Sequence, residues 1–406
     1  MDALRLDDSA LHLEYADHPF AADEQFADIG DLPARVERAL PRLRMALVYG
    51  GDKSADGAVL HPTVNRRPWK SYKAVAEDIA GALERLGVGE VHLVADDMHL
   101  GENLQRHNIH MAWLNTGGVQ GFNSVSHASA MLEMMGVPYV GHNPLTAATL
   151  DSKDAFKRYL VALGIPTTPF MTWNLERGPF VPEMNARFFG TFGHFRGPFV
   201  VKPVSGRASL HVHVVDDVSG LTDKVTEVFE ATENDVLIEP YLEGREFCVS
   251  VCGSVVARNR ELVRLADPFV LSAVERVLEP NERIFTSMDK KPITNDRVRT
   301  LDPEIDSAEI ARLRGLAREV FVEFGLNTLV RIDIRADAAG RMCILETNPK
   351  PDLKRPGDNI TSLVCTELKQ HGMDYDDLIL SLLADRLDLL LGPQNRMPQH
   401  LLELVG

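Results

Sequence analysis

The chain reads as an α/β domain built on a parallel sheet, followed by an α+β region built on antiparallel sheet. Residues 45 to 150 alternate apolar strand patterns with helically spaced segments, the signature of a parallel sheet with helices on both faces. From residue 151 the alternation gives way to short strands with few helices between them. A length of 406 residues, 45% hydrophobic and 25% charged, has room for two or three domains at about 150 residues each and for ample core.

In chain order, "DLPARVERALPRL" predicts a short helix within an acidic extension, residues 1–44. "RMALVYGG" is an apolar strand ending in Gly50-Gly51, followed by a polar and aromatic loop. "SYKAVAEDIAGALERLGV" carries helical spacing and stops at Gly87. "EVHLVADD" and "HMAWLNTGG" are the next strands, and "SVSHASAMLEMMGVPYVG" is a helix running into a strand. "DSKDAFKRYLVALGI" is a helix, and the strands "GPFVVKPV", "LHVHVVDD", "DVLIEPYL" and "EFCVSVCG" follow a Pro-rich passage around Pro166 and Pro169. A helix over 307–325 precedes the hairpin "LVRIDIRADAAGRMCILETNP", and "DYDDLILSLLADRLDLLL" reads as an amphipathic helix.

The formal charge of −16 argues against a nucleic-acid or anionic-membrane surface as the main partner. No run of about 18 apolar residues occurs, so no membrane helix is expected. The acidic first twenty residues lack a basic n-region and a long apolar stretch, so no signal peptide is expected there. Cys248, Cys252, Cys343 and Cys365 lie in or beside apolar patterns and read as buried reduced thiols, hence a cytoplasmic setting.

The hairpin poses the chemical question. Asp333 and Glu346 stand where core residues would be expected, and a lone buried carboxylate costs several kcal/mol unless paired or metal-bound. Strand alternation puts Arg331, Asp333 and Arg335 on one face, and Glu346 with Asn348 on one face of the partner strand. Two carboxylates and an amide oxygen are hard donors suited to Mg²⁺; the alternative is a salt bridge from Arg331 or Arg335. In "GPFVVKPVSGRAS" a strand delivers Lys202 to the small-residue loop Ser205–Ser209, an arrangement that can hold phosphate oxygens. In "VLIEPYLEGREFCVSV" a linker between two strands carries Glu239 and Glu246, which suits a nucleoside; a plain β-hairpin is the alternative. Lys153 and Lys157 lie four apart on one helix face, where solvated lysines are the commoner outcome.

Taken in order, "SKDAFK", "FVVKPVSGRAS", "IEPYLEGREFCVSV" and "RIDIRADAAGRMCILETNP" resemble the ATP-grasp superfamily, and within it the D-alanine–D-alanine ligases. "GGVQGFNSVSHASAMLEMMGVPYVG" is similar to the family's segment before the ATP-binding region, so the likeness covers residues 45 to 390. The resemblance implies a Rossmann-like domain (45–150), an ATP-grasp lid subdomain (151–240), a C-terminal subdomain with the metal site (241–395) and a tail (396–406). It implies that Lys153 and Lys202 contact ATP phosphates, Lys202 also lying near the adenine, and that Ser205, Gly206 and Ser209 belong to a loop closing over them. Glu239 and the backbone of Tyr241 and Leu242 would face the adenine, and Glu246 the ribose. Asp333, Glu346 and Asn348 would hold two Mg²⁺ ions, with Mn²⁺ as the alternative. Arg331 would stand by the reacting phosphoryl group rather than serve as salt-bridge partner. The implied enzyme is an ATP-dependent carboxylate–amine ligase working through an acyl phosphate on small-molecule acids and amines, with a homodimer as the assembly to be considered.

The resemblance breaks at substrate positions. The first loop, "GGDKSADGAVLHPTVNRRPWKSY", offers Asp52 and Asp56 but not the family's Glu, and "LNTGGVQG" lacks the family's His and acidic pair. After Asn348 the chain runs "PKPDLKRPGDNITSL". Ser362 and Leu363 would be the family's Ser-Leu pair that grips the second substrate's carboxylate, while Lys350, Lys354 and Arg355 fall in an insertion. The expected acid is therefore an amino acid or related small acid other than D-alanine, and a more anionic one. D-alanine ligation proper, phosphotransfer or carboxylation on the same fold, and nucleotide binding without turnover are the competing readings.

Overall fold

The computed structural model describes residues 24–63, 68–286, 293–357, 362–392 and 399–405. Residues 1–23 of the expected acidic extension, the two arginines of the first loop (66 and 67) and the middle of the post-hairpin insertion (358–361) lie outside them, while the expected short helix is present as Leu32–Ala39.

The parallel sheet is present, with strand order Glu90–Ala95, Arg44–Tyr49, Met111–Asn115, Tyr139–Val140. Helices Lys73–Arg85 and His127–Met135 cover opposite faces, because each presents an apolar stripe to a different core cluster. Gly50 ends the first strand because a Cβ there would lie 2.2 Å from the Lys70 carbonyl oxygen. The loop therefore folds back against the strand end, with Gly50 N–H donating to Ser71 O (2.8 Å) and Trp69 Nε1 to Gly50 O (2.9 Å).

Two antiparallel sheets follow. The smaller orders Met171–Trp173, Val236–Pro240, Phe199–Pro203 and His213–Val215 under helices Ala186–Phe192 and Leu221–Thr232, which the sequence reading did not resolve. The larger orders Val298–Thr300, Phe269–Arg276, Glu246–Cys252, Val330–Ala336 and Met342–Asn348. Helices Lys153–Leu163 and Ser307–Glu323 share its apolar core. Strands Val236–Pro240 and Glu246–Cys252 belong to different sheets, so the linker between them is a crossing and not the turn of a hairpin. A small third sheet joins Phe26–Ala27, Glu261–Leu265 and Val255–Arg258.

The C-terminal helix Tyr375–Leu391 is buried nearly all round, so the amphipathic reading is corrected. It lies between helix Lys73–Arg85 and strand Val255–Arg258, and its leucines join the core shared with the parallel sheet. Its acidic first turn is taken by cations: Asp376 receives Arg85 (2.8 and 2.6 Å), while Arg260 donates to Asp374 (2.7 Å) and Asp377. All four cysteines are free thiols; three are buried and Cys343 is half-buried.

Candidate active site

The acidic hairpin holds its register as Asp333 opposite Glu346 and Arg331 opposite Asn348. Alternation alone would put Ile344 and Glu346 on one face. The register shifts between Asp333 and Ile334, which pairs with Ile344, so Leu345 is the extra residue of a β-bulge. Ile344 thus joins Ile332 and Ile334 in the core, while Leu345 and Glu346 turn with Asp333 into a cleft of about 740 Å³.

That cleft gathers residues from several segments, the end of strand Phe269–Arg276 among them. Lys153 comes from the start of its helix, Lys202 from a strand end, Gly206 and Ser209 from the small-residue loop, and Glu239, Tyr241, Leu242 and Glu246 from the crossing linker and its flanking strands. Asp333 and Glu346 complete it; Asn348 faces an adjoining cavity of about 600 Å³ that also takes Asp333 and Glu346. Ser205 stands behind the cleft wall, its hydroxyl donating to Asp151 (2.5 Å) and its N–H to Asn234 (3.3 Å).

The helix lysines are not solvated. Lys157 is fully buried and Lys153 is 7% exposed, which corrects the surface reading. The helix packs this face beneath the cleft. Lys157 lies 3.0 Å and Lys202 2.6 Å from the Glu239 carboxylate, which also accepts from the Thr168 hydroxyl (2.6 Å). Burial alone would raise the Glu239 pKa, but the two lysines outweigh it and hold the group at about 2. Glu239 is thereby committed to fixing both lysines, and the Tyr241 N–H to Pro198 O (2.9 Å). Lys153 stands 3.4 Å from Glu346.

Asp333 is gripped by two guanidinium groups. Arg331 donates at 3.0 and 3.2 Å and Arg276 at 2.9 Å. Against burial, which would raise it, Arg276 and Arg331 hold Asp333 at about 2. Arg331 is thus a salt-bridge partner here, contrary to expectation, because residues two apart on a strand share a face and a buried carboxylate takes the nearest cation. Arg276 went unnoticed in the sequence. It ends strand Phe269–Arg276 opposite Glu246 and also donates to that carboxylate (2.9 Å). Arg335 binds the other Glu246 oxygen (3.2 Å) and the Tyr241 hydroxyl (2.8 Å).

The small-residue loop is latched at both ends of its turn. Ala208 and Ser209 take left-handed φ of 56° and 54°, a conformation that costs about 1–2 kcal/mol per non-glycine residue. Arg207 donates to Pro68 O (3.0 Å) and Trp69 O (3.4 Å), and the Ser209 hydroxyl to Phe285 O (2.9 Å). These bonds tie the loop to the first domain and to the segment after Arg276.

The residues proposed for substrate fall elsewhere. Lys354 and Arg355 are exposed and line neither cavity. Ser362 and Leu363 are buried: the Ser362 hydroxyl donates to Asp352 O (2.5 Å), and Leu363 packs with Cys248, Val274 and Phe285. Asp52 and Asp56 are exposed, Asp52 accepting from Ser54. The adjoining cavity is lined instead by Tyr72, Arg207, Phe285, Lys350 and Asp352. Two of these had a signal in the sequence, Arg207 within the small-residue loop and Lys350 as a cation in the insertion.

The buried Asp333 carboxylate, the half-buried Glu346 carboxylate and the Asn348 amide, facing two adjoining cation-rich cavities, fit a hard divalent ion completed by water and phosphate oxygens. Among the described residues no group of three His, Cys, Asp or Glu is arranged to hold a metal by itself. No described helix is long and apolar enough to cross a membrane.

Residues 159–384 match the family described as D-ala D-ala ligase C-terminus. A D-alanine–D-alanine ligase of Gloeobacter violaceus is 28% identical over 310 residues, 76% of this chain and 92% of that protein. The D-alanine–D-alanine ligase of Pseudomonas entomophila is 27% identical over 343 residues, 84% of this chain and 92% of its own length. In fold, the chain is similar to the crystal structure of the Bacillus anthracis D-alanine–D-alanine ligase complexed with ATP. The TM-score is 0.60 at 19% identity, covering 86% of this chain and 99% of that one.

Proposed function

The chain belongs to the D-alanine–D-alanine ligase family, with the ATP-grasp fold, and from that premise we propose a carboxylate–amine ligase whose substrate is not D-alanine. It is an ATP-dependent ligase that forms a carbon–nitrogen bond. The observation that carries the residue assignment is the shared cleft in which Asp333 and Glu346 face Lys153, Lys202 and Glu246.

In this reading a substrate carboxylate attacks the γ-phosphoryl group of ATP, giving an acyl phosphate and ADP. An amine then attacks the acyl carbon, loses a proton, and phosphate leaves. Lys153 and Lys202 hold phosphate oxygens, with Lys202 aimed by Glu239. Glu246, oriented by Arg276 and Arg335, receives the ribose hydroxyls, and the linker at Tyr241 and Leu242 borders the adenine. Asp333, Glu346 and Asn348 would hold Mg²⁺, which supplies charge neutralisation on the phosphates. Arg331 and Arg276 are placed to add to it. The loop at Gly206–Ser209 covers the phosphates, and excluding water there protects an acyl phosphate from hydrolysis. The free thiols of Cys248, Cys252, Cys343 and Cys365 support a cytoplasmic setting.

The departure from D-alanine is supported by Ser362 and Leu363, which are buried away from both cavities, and by the charged pair Lys350 and Asp352 facing the second one. The test is ADP release across a panel of acids, each with and without amines, D-alanine included. Release that requires an acid and an amine together, and that D-alanine does not support, is the expected outcome. Release with one acid alone would favour phosphotransfer and overturn ligation.

A further inference from the structure

The segment after Asn348 is stiffened by two prolines, Pro349 and Pro351. A residue before proline is driven to extended backbone, so Asn348 and Lys350 are both restrained. The chain bends at Pro349 and Lys350 as it leaves the strand, and Asn348, Lys350 and Asp352 all line the second cavity, while Pro351 and Leu353 are buried. The far end is pinned from outside the cavity. The Ser362 hydroxyl donates to Asp352 O (2.5 Å), and the Tyr375 hydroxyl to Leu353 O (2.7 Å).

Two features of this row point to a ligand with charges of both signs. The Lys350 ammonium sits 3.4 Å from the Tyr72 ring centroid, so an aromatic platform holds the cation at the cavity wall. Tyr72 is itself fixed by its left-handed φ of 56° and by Asn115 Nδ2 donating to its carbonyl (3.1 Å). Asp352 Oδ1 is buried and has no hydrogen-bond partner among the described residues, a state that is costly for a carboxylate oxygen until a donor arrives.

We propose that Lys350 and Asp352 clamp the two ends of an α-amino acid, the amine-supplying substrate. Lys350 takes its carboxylate and Asp352 Oδ1 its ammonium. The assignment rests on the ligase reading, and it gives the insertion a function that Lys354 and Arg355, turned to solvent, do not share.

The test is calorimetric binding to the full chain with Mg²⁺ and a non-hydrolysable ATP analogue. The probes are the D and L forms of the common amino acids, their carboxamides and their deaminated acids. At least one amino acid binds, and its amide and its deaminated acid each bind at least about tenfold more weakly, as expected when one charge-assisted contact is lost. Lys350→Met erases the preference over the amide but keeps the preference over the deaminated acid. Asp352→Asn does the reverse, and Lys350→Arg keeps both. Equal binding of amide and acid, an unchanged preference in Lys350→Met, or no binding by any amino acid would overturn the clamp. Ligation fails separately: the binding pattern with no acid- and amine-dependent ADP release would overturn the ligase reading alone. ADP release with amines that lack a carboxylate would overturn the clamp alone.

Discussion

Buried carboxylates behave in opposite ways in two parts of the molecule. In the cleft, Glu239 and Asp333 are surrounded by Lys157, Lys202, Arg276 and Arg331 and are held at about 2. Near the C-terminal helix, Asp385 and Glu367 are as deeply buried, and burial pushes each up to about 7. Their partners are backbone amides rather than cations: Asp385 accepts from Val255 N–H (3.2 Å), and Glu367 from Ala273 N–H (2.8 Å). The same residue types at similar depth are thus charged devices in one place and nearly neutral acceptors in the other. What differs is whether the fold brings a cation to them.

The comparison breaks most visibly at the acidic hairpin. Asp333→Asn and Glu346→Gln should each lower turnover by at least about 10³-fold, read as ADP release. Asp333→Asn should also destabilise the fold by about 3–5 kcal/mol in denaturant unfolding, because Arg276 and Arg331 would lose the carboxylate they share. Wild-type turnover in either variant would remove the metal assignment.

A second break lies beneath the cleft. Lys157→Met leaves Glu239 with one lysine in a wholly buried site and should cost about 3–5 kcal/mol. Adding Glu239→Gln should recover part of that loss, since the uncompensated charge is gone. A purely additive double variant would show that the pair is not coupled.

The acids near the C-terminal helix make the pH prediction. A carboxyl raised in the folded state binds protons more tightly there than in the unfolded chain. Its stabilisation is therefore present below the ordinary carboxylate range and is lost as pH rises through about 7. Asp385→Asn, which cannot ionise, should flatten the decline and gain up to about 3 kcal/mol at pH 8 relative to the native chain. An unchanged pH profile of thermal unfolding would refute it. The smallest effect belongs to the exposed cations: Lys354→Ala with Arg355→Ala should move the KM of either substrate by less than about twofold.

Much of the cleft was legible because its residues sit in short motifs whose order along the chain is informative. Lys202 after an apolar strand, Glu239 and Glu246 around a linker, and the hairpin acids all reached the cleft. Arg276 was not legible, since one arginine ending an apolar strand has no local mark; only its pairing opposite Glu246 gives it a place. Lys157 was dismissed for a related reason: helical spacing says which residues share a face, but not whether that face meets solvent or another sheet. Ser362 and Leu363 fitted a motif yet were carried into the core, where the hydroxyl serves a backbone carbonyl.

The amino-acid sequence by itself determined the alternation of strand and helix and the donor types of the hairpin, because these follow from local sterics and side-chain periodicity. Tertiary structure alone decided that a bulge turns Glu346 toward Asp333, and that Tyr72 from a distant loop meets Lys350. It also decided which buried acids keep their charge. Ionisation in a low-dielectric interior depends on partners within a few ångströms, and residues far apart in the chain become such partners only when the sheets pack.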